Sequence, residues 1–244
     1  MTRFTAAALC PALLHAAPTE TLFGVPVGSG SGAGLAPPLQ IILLLTALTL
    51  LPALIVSLTP FLRITVVLHF LRQALGTQTA PSNQVIIGLA LFLSLLIVQP
   101  VLKQAYDKGW QPLEQGKLSG AEAWEQGSLP LRQFLLRFAR EKDIALMLEI
   151  TRSQPPRKPS DLELRILAPA YVLSELKAGF QIGAVLFLPF LIIDIVVASV
   201  TLSIGMVQLP PVMISAPFKV LLFVLVDGWN LVVGSLMRSL QQVS

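Results

Sequence analysis

The chain has 244 residues, of which 54% are hydrophobic and only 12% are charged, and its mean hydropathy is +0.76. An ordinary soluble domain carries about a quarter charged residues, so this composition excludes a soluble protein and indicates a membrane protein. The net charge of +4 is not gathered into a basic run, which argues against nucleic acid as a partner. One cysteine and two histidines cannot form an intrachain disulfide or a zinc site, and no cofactor is expected.

The first residues, 1–17, are typical of a secretory signal peptide. Arg3 supplies the positive charge, residues 4–14 are mostly apolar, and Ala16 and Ala17 are small enough for a cleavage site. An uncleaved anchor is the alternative. Residues 18–38 are rich in Gly, Ser and Pro, which predicts a flexible linker.

Four apolar segments follow, each close to the roughly 20 residues needed to cross about 30 Å of hydrocarbon. They run from about Leu39 to Leu62, Asn83 to Leu102, Phe180 to Ile204 and Val212 to Leu236. Prolines interrupt these segments at Pro52, Pro60, Pro189 and Pro217. A proline frees a backbone carbonyl that neighbouring helices must satisfy in lipid. We therefore expect an all-α membrane protein of about four kinked helices in an oligomer, with a first helix pair at 39–102 and a second hairpin at 180–244.

The polar region at 103–179 holds twelve of the seventeen basic residues and ten of the thirteen acids. It predicts a small helical domain, with a plain linker of amphipathic helices as the alternative. Ser128 and Pro130 favour a helix start, and the apolar positions of that helix follow at helical spacing. These positions are Leu131, Phe134, Leu135 and Phe138.

Two further signals in the polar region predict where the next helix begins. Ser160 and Glu163 have the S-x-x-E spacing of a capping box. Pro169 suits the first turn of a helix that continues into the third apolar segment.

The positive-inside rule indicates which connections are cytoplasmic. These are the predicted loop at 63–82, which carries Arg63 and Arg72, and the connection that carries Lys219. The polar domain and both mature termini are then periplasmic.

Two acids lie near the middle of apolar segments, Asp194 in the third and Asp227 in the fourth. With a hairpin turn near Leu209 and a rise of about 1.5 Å per residue, their heights differ by about 5 Å, so we predict that they are neighbours. Lys219 would lie about 12 Å from Asp227 along the helix axis. The acids could mark a proton path or lock two helices together. Neither lies in the GxGD context of an intramembrane protease, and no catalytic residue is predicted.

Glu175 and Lys177 lie at the junction of the polar region and the third apolar segment. Residues two apart point to different helix faces and cannot pair well with each other. We expect at least one of them to meet a charge on a neighbouring subunit. An ordinary exposed surface charge, worth at most about 1 kcal/mol, is the alternative.

Three stretches resemble the FliP family of the flagellar type III export apparatus: PFLRITVVLHFLRQALGTQTAPSNQVIIGLALFL at 60–93, PAYVLSELKAGFQIGAVLFLPFLIIDIVVASV at 169–200 and LPPVMISAPFKVLLFVLVDGWNLVVGSL at 209–236. The motifs occur in order and cover nearly all of the chain after residue 38. The motifs RQALG and VDGWNLVVGSL are closer to the flagellar branch than to the homologous virulence secretion proteins, which remain an alternative. A proton-coupled transporter is a more distant one.

The resemblance implies an export gate without enzymatic activity. In it, about five copies assemble with FliQ, FliR and other membrane proteins of the export apparatus into a pore in the inner membrane, at the flagellar basal body. Unfolded flagellar proteins pass through this pore. The family has a methionine-rich loop that resembles a gasket, and the matching stretch here is 205–211, with Met206 and Leu209 as the candidate gate residues. An ordinary hairpin turn is the alternative.

Overall fold

The computed structural model describes residues 21–22, 25–26, 37–77, 79–154, 156, 158–206 and 210–241. The predicted signal peptide and most of the predicted linker lie outside these residues. The chain divides into two compact units at 1–51 and 52–244. In the first unit, strand β1 (Thr21–Leu22) pairs antiparallel with strand β2 (Val25–Pro26), and helix α1 (Pro37–Ser57) begins.

The rest of the described chain consists of helices joined by short turns and loops. The α-helices that follow α1 are α2 (Phe61–Ala74), α3 (Asn83–Ala105), α4 (Gln111–Glu114), α5 (Gly120–Phe138), α6 (Glu141–Thr151), α7 (Leu164–Ser203), α8 (Pro211–Leu225) and α9 (Gly228–Gln241). A π-helical turn, Tyr106–Trp110, joins α3 to α4, and a 3₁₀ turn, Pro159–Asp161, precedes α7.

Among the described residues, three helices are long and apolar enough to cross a membrane: α1, α3 with its extension to residue 114, and α7. The pair α8 and α9 could form a fourth span, but the two helices are bent by 67° at their junction. About four apolar helices are thus confirmed. The fourth apolar segment, predicted at 212–236 as a kinked helix, consists of two helices, because the chain turns at Val226 and Asp227.

The prediction of a loop at 63–82 is wrong for its first half, because that part of the chain forms α2. This helix buries Ile64, Val67, Leu68 and Leu71, whose three- and four-residue spacing places them on one face. It packs most extensively against α7. A Cβ atom on Gly183 of α7 would lie 2.6 Å from the ring of Phe70, so only glycine permits the helices to approach this closely.

Helix α5 begins earlier than predicted. Ser119 is its N-cap and forms a capping box with Glu122, so Ser128 and Pro130 lie inside the helix and not at its start. The predicted apolar face is confirmed, since Phe134, Leu135 and Phe138 are buried and Leu131 is partly buried.

Helix α7 starts at Leu164 with Glu163 as its N-cap. The capping box predicted at Ser160 does not open it, because residues 159–161 form a separate 3₁₀ turn. Pro169 lies inside the helix and not in its first turn. The predicted continuation into the third apolar segment is confirmed, because α7 runs unbroken through residues 179 and 180, where the polar region was predicted to end.

Candidate functional site

A buried ion pair joins α2 to α7. Arg63 Nη2 donates a hydrogen bond to Glu175 Oε1, and the side chains of these residues are 8% and 0% exposed. The guanidinium also lies 5.4 Å from the centre of the Phe138 ring, at the end of α5. A cation over an aromatic face is attracted by the ring quadrupole. One arginine of α2 therefore contacts two further helices, α7 and α5.

The surroundings of this pair are polar and deeply buried. Tyr171, one helical turn before Glu175, is fully buried. Its hydroxyl, Arg63 Nε and Glu175 Oε2 have no hydrogen-bond partner among the described residues. Buried polar atoms without partners are costly, so this region of the core is held by the ion pair and not by a complete polar network.

A second polar contact fixes α6 against the same stretch of α7. Ser174 Oγ donates to Asp143 Oδ2 at 2.6 Å and accepts the backbone N–H of Arg140 at 2.9 Å. Arg140 Nη2 also donates to Gln181 Oε1 at 2.7 Å. The first half of α7 is thereby bonded to the elements of the polar region.

Glu175 was expected to be a candidate for pairing with a neighbouring subunit, and the structure gives it Arg63 of the same chain instead. The sequence analysis missed Arg63 because it placed that residue in a cytoplasmic loop. That placement is inconsistent with a periplasmic polar region, since Arg63 contacts Glu175 and Phe138 of that region. The signal for Arg63 was the apolar spacing of the residues after it, which is typical of a helix. Lys177 is exposed and points about 200° around the helix from Glu175, so it remains a candidate for a contact between subunits.

A second ion pair, between a buried lysine and a half-buried aspartate, joins α7 to α8. Lys219 Nζ lies 2.5 Å from Asp194 Oδ2, and Ser215 Oγ donates to Asp194 Oδ1 at 2.5 Å. The Lys219 side chain is 1% exposed and that of Asp194 is 22% exposed. The charge of the buried Lys219 is thus compensated by Asp194 within one helical hairpin.

Asp227 is not the partner of Asp194 that the sequence predicted. It lies in the turn between α8 and α9, is exposed, and has a φ of 50°. Its carboxylate accepts a hydrogen bond from Asn230 Nδ2 at 3.2 Å. The prediction was wrong because it assumed a straight helix through residue 227. It also did not consider that the long Lys219 side chain could reach Asp194.

The candidate gate loop is described only in part. Met206 follows Gly205, which has a φ of 76°, and the Met206 side chain is 39% exposed. Leu209 lies outside the described residues. In the described parts of the chain, no group of three or more His, Cys, Asp or Glu side chains could hold a metal ion.

Both ion pairs and Met206 lie within the stretch that matches a known family. The model of the FliP family matches residues 44–236. The chain belongs to the FliP family. This membership makes it a flagellar biosynthesis protein of the type III export apparatus, and its apolar helices give it transmembrane character.

Several curated FliP proteins are similar over most of their length. A flagellar biosynthetic protein FliP of Pectobacterium carotovorum is 50% identical over 200 residues, which cover 82% of this chain and 78% of the relative. The FliP of Caulobacter vibrioides is 44% identical over 238 residues, covering 97% and 89%. That of Bacillus subtilis is 47% identical over 200 residues, covering 82% and 90%.

Proposed function

We propose that this chain is a core subunit of the flagellar type III export gate. In this proposal, about five copies assemble with FliQ and FliR into a pore that passes unfolded flagellar proteins across the inner membrane. Membership of the FliP family supports the proposal. The relatives described above are flagellar proteins, which favours the flagellar branch over a virulence secretion system.

The Asp194–Lys219 pair is the observation that carries the proposal beyond family membership. A carboxylate held 2.5 Å from a buried ammonium is already neutralised, which favours a structural lock over an open proton path. Around it, the outer faces of α7 and α8 expose large apolar side chains, including Leu188, Ile192, Phe218 and Leu221. A charge-neutral hairpin with an apolar exterior is suited to packing against other apolar helices.

The location of the chain is the next part of the proposal. We assign the chain to the inner membrane at the flagellar basal body, delivered by the signal at 1–17, with the helical region at 103–179 on the periplasmic side. Lys177, exposed on that region's junction with α7, is then placed to pair with a carboxylate of a neighbouring subunit. Charge reversal at Lys177 should lower recovery of the oligomer, whereas reversal of the exposed Lys142 on α6 serves as the control.

The loop after α7 would form the seal of the pore. Methionine adapts its shape easily, so Met206 together with Leu209, repeated around a ring, could close around different side chains. Replacing both with alanine should leave assembly intact and make the resting membrane permeable to small ions. Met213→Ala is the matched control, because Met213 is an exposed methionine on α8 beyond the loop. Unchanged permeability in an assembled double variant would remove the gate role.

The decisive experiment measures both assembly and export. The chain, expressed with FliQ and FliR in a flagellated strain that lacks its own FliP, should restore filament formation. Native mass measurement of the detergent-extracted complex should find several copies together with the other two proteins. A functional monomer, or a chain that never associates with FliQ and FliR, would exclude the proposal and favour a transporter.

A further inference from the structure

The RQALG motif, at 72–76, ends helix α2, and the export role described above does not use it. The Gly76 N–H donates to the Gln73 carbonyl at 3.0 Å, which closes the last turn of the helix. Gly76 has a φ of 72°, in the left-handed region that glycine adopts readily. Leu75 beside it is buried. The motif therefore fixes the end of α2 and the direction in which the chain leaves it.

Side-chain hydrogen bonds hold the chain between α2 and α3. Arg72 Nη1 donates at 2.6 Å to Oδ1 of Asn83, the first residue of α3. Thr77 Oγ1 donates to the Arg72 carbonyl at 3.2 Å, which ties the residue after Gly76 back to the helix. The first residue of the motif thus bonds to both sides of the turn. We call residues 72–77 the RQALG turn.

The RQALG turn lies against α8. A Cβ atom on Gly76 would lie 3.4 Å from Ala216 Cβ and 3.7 Å from Val212 Cγ1. These separations correspond to ordinary van der Waals contact, so even one added carbon would touch both residues. A larger side chain directed toward α8 would displace that helix. Glycine at position 76 therefore allows the turn and α8 to approach each other closely.

This contact lies directly beside the candidate gate loop at 205–211. Val212 belongs to the first turn of α8, whose N-cap is Pro210. At the other end of the loop, a Cβ atom on Gly205 would meet no atom of the described residues within 4 Å. The RQALG turn thus supports the end of the loop that enters α8, whereas the space around Gly205 is open.

The same stretch of α8 is also bonded to α7. Ser215 and Lys219 both contact Asp194, as described above. Together with Val212 and Ala216 they recur at three- and four-residue spacing, which places all four on one face of α8. The start of α8 is therefore held both by α7 and by the RQALG turn. Because protein interiors are close-packed and transmit displacements, a shift of the turn would move the start of α8.

We propose that Gly76 is a positioning residue of the export gate. Through its contacts with Val212 and Ala216, the RQALG turn fixes the start of α8 and with it the α8 end of the gate loop. Gly76 itself does not line the pore, because it acts through α8. This inference rests on the gate role proposed above for residues 205–211.

The first test of the contact uses a disulfide. The full chain, coexpressed with FliQ and FliR, carries Gly76→Cys and Ala216→Cys, and its single natural cysteine is replaced by Cys10→Ser. The 3.4 Å between the two Cβ positions is close to the range of about 3.5–4.5 Å found in disulfides. Oxidation should link the two residues within one chain, which keeps the mass of a single chain on a denaturing gel. No link, or a link only between two chains, would overturn the proposal.

The second test measures ion leakage through resting, assembled complexes in vesicles. Gly76→Leu should raise leakage several-fold, to the level of the gate variant Met206→Ala/Leu209→Ala, without lowering recovery of the complex. Gly116→Leu is the matched control. Gly116 has a φ of 66°, and a Cβ atom there would meet no atom of the described residues within 4 Å. Both leucine variants strain the backbone comparably, but only the one at 76 presses on α8.

A variant that removes the contact covers the case in which Gly76→Leu does not assemble. Val212→Ala/Ala216→Gly leaves Gly76 unchanged and takes away the side chains that it touches, so this variant should also leak. Leakage from the control variant would overturn the positioning role. So would tight complexes of both contact variants beside a leaky gate variant, and this result would leave the gate role standing. If the gate variant is also tight, the gate role is wrong and this inference falls with it.

Discussion

Lys219 and Asp194 form an ion pair across the α7–α8 hairpin, with the lysine side chain 1% exposed and its Nζ 2.5 Å from the carboxylate. Removing Asp194 would leave a buried ammonium without compensation, at a cost of about 3–5 kcal/mol, whereas removing Lys219 would leave a carboxylate that water partly reaches. The stability of the hairpin therefore depends on both residues. The sequence analysis had predicted Asp227, and not Lys219, as the neighbour of Asp194.

The first prediction concerns Asp194. Asp194→Ala should reduce recovery of the complex strongly and Asp194→Asn less, because an amide oxygen can still accept hydrogen bonds from Ser215 and Lys219. The double variant Asp194→Leu/Lys219→Met should recover most of the complex, since it leaves no buried charge. A proton-relay role requires a different pattern: asparagine as harmful to export as alanine, and a double variant that assembles without exporting. Complex recovery and secretion are measured for all of these variants.

The second prediction concerns Asp227, whose φ of 50° lies in the left-handed region. Asparagine and glycine adopt this conformation readily, whereas other residues pay about 1–2 kcal/mol. Asp227→Asn and Asp227→Gly should therefore leave the thermal midpoint of the extracted protein nearly unchanged, and Asp227→Ala should lower it. Equal midpoints for the alanine and glycine variants would show that the turn between α8 and α9 does not require this conformation.

The third prediction compares two ion pairs on the same helix. Glu175→Ala breaks the buried pair with Arg63 and should cost about 3–5 kcal/mol of stability. Arg165→Gln breaks the pair with Glu163, whose side chains are 70% and 60% exposed, and should cost less than about 1 kcal/mol. Denaturant unfolding of the extracted protein measures both. Similar costs would mean that the buried pair is not what holds α2 against α7.

The fourth prediction concerns pH. The Ser119 backbone N–H, and then its hydroxyl, hold the pKa of Glu122 below its ordinary value of 4.5. The ionised carboxylate therefore stabilises the start of α5 at pH values above 4.5, and this contribution is lost as the pH falls through the lowered pKa. The protection of amides in the first turn of α5, after correction for the pH dependence of the intrinsic exchange rate, should fall on acidification. Glu122→Gln should flatten this response, whereas Glu125→Gln, outside the capping box, should preserve it.

The fifth prediction uses two glycines in helical segments. A Cβ atom on Gly109 would lie 2.7 Å from the Ala123 carbonyl oxygen, a backbone atom that cannot move easily, so Gly109→Ala should cost about 1–3 kcal/mol. Gly88 on α3 has no atom within 4 Å of such a Cβ position, so Gly88→Ala should gain roughly 0.5–1 kcal/mol from helix propensity. Thermal unfolding measures both variants. A neutral Gly109→Ala would show that α5 does not approach α3 this closely.

Long apolar runs were the part of the fold that the sequence predicted well. The second and third segments lie within α3 and α7, because about 20 consecutive apolar residues leave few alternatives to a spanning helix. Helix starts were predicted less well. Ser119 and Ser160 are each followed three residues later by glutamate, but only Ser119 caps a helix. Leu162 is buried with a ψ of 129°, so tertiary packing holds the backbone after Ser160 extended.

The sequence identified residues of the candidate site but not the ion pairs that they form. Asp194, Lys219 and Glu175 were all singled out, yet both partners of the acids differ from those expected. A pairing depends on side-chain reach and on which helices are neighbours, and neither quantity can be obtained from spacing along one helix. Arg63 meets Glu175, 112 residues away in the sequence, only because α2 packs against α7.

Helix α7 has 40 residues, which corresponds to a length of about 60 Å. A hydrocarbon layer of about 30 Å could contain it only at a tilt near 60°, beyond the range of up to about 40° that spanning helices adopt. In the proposed membrane location, the first part of α7, which is bonded to α6, would stand above the membrane surface. The helix is continuous between its two parts, and Pro189 inside it is the position where it can bend. A change in membrane thickness would therefore alter the height of the polar region, and bending at Pro189 would absorb part of the change in tilt.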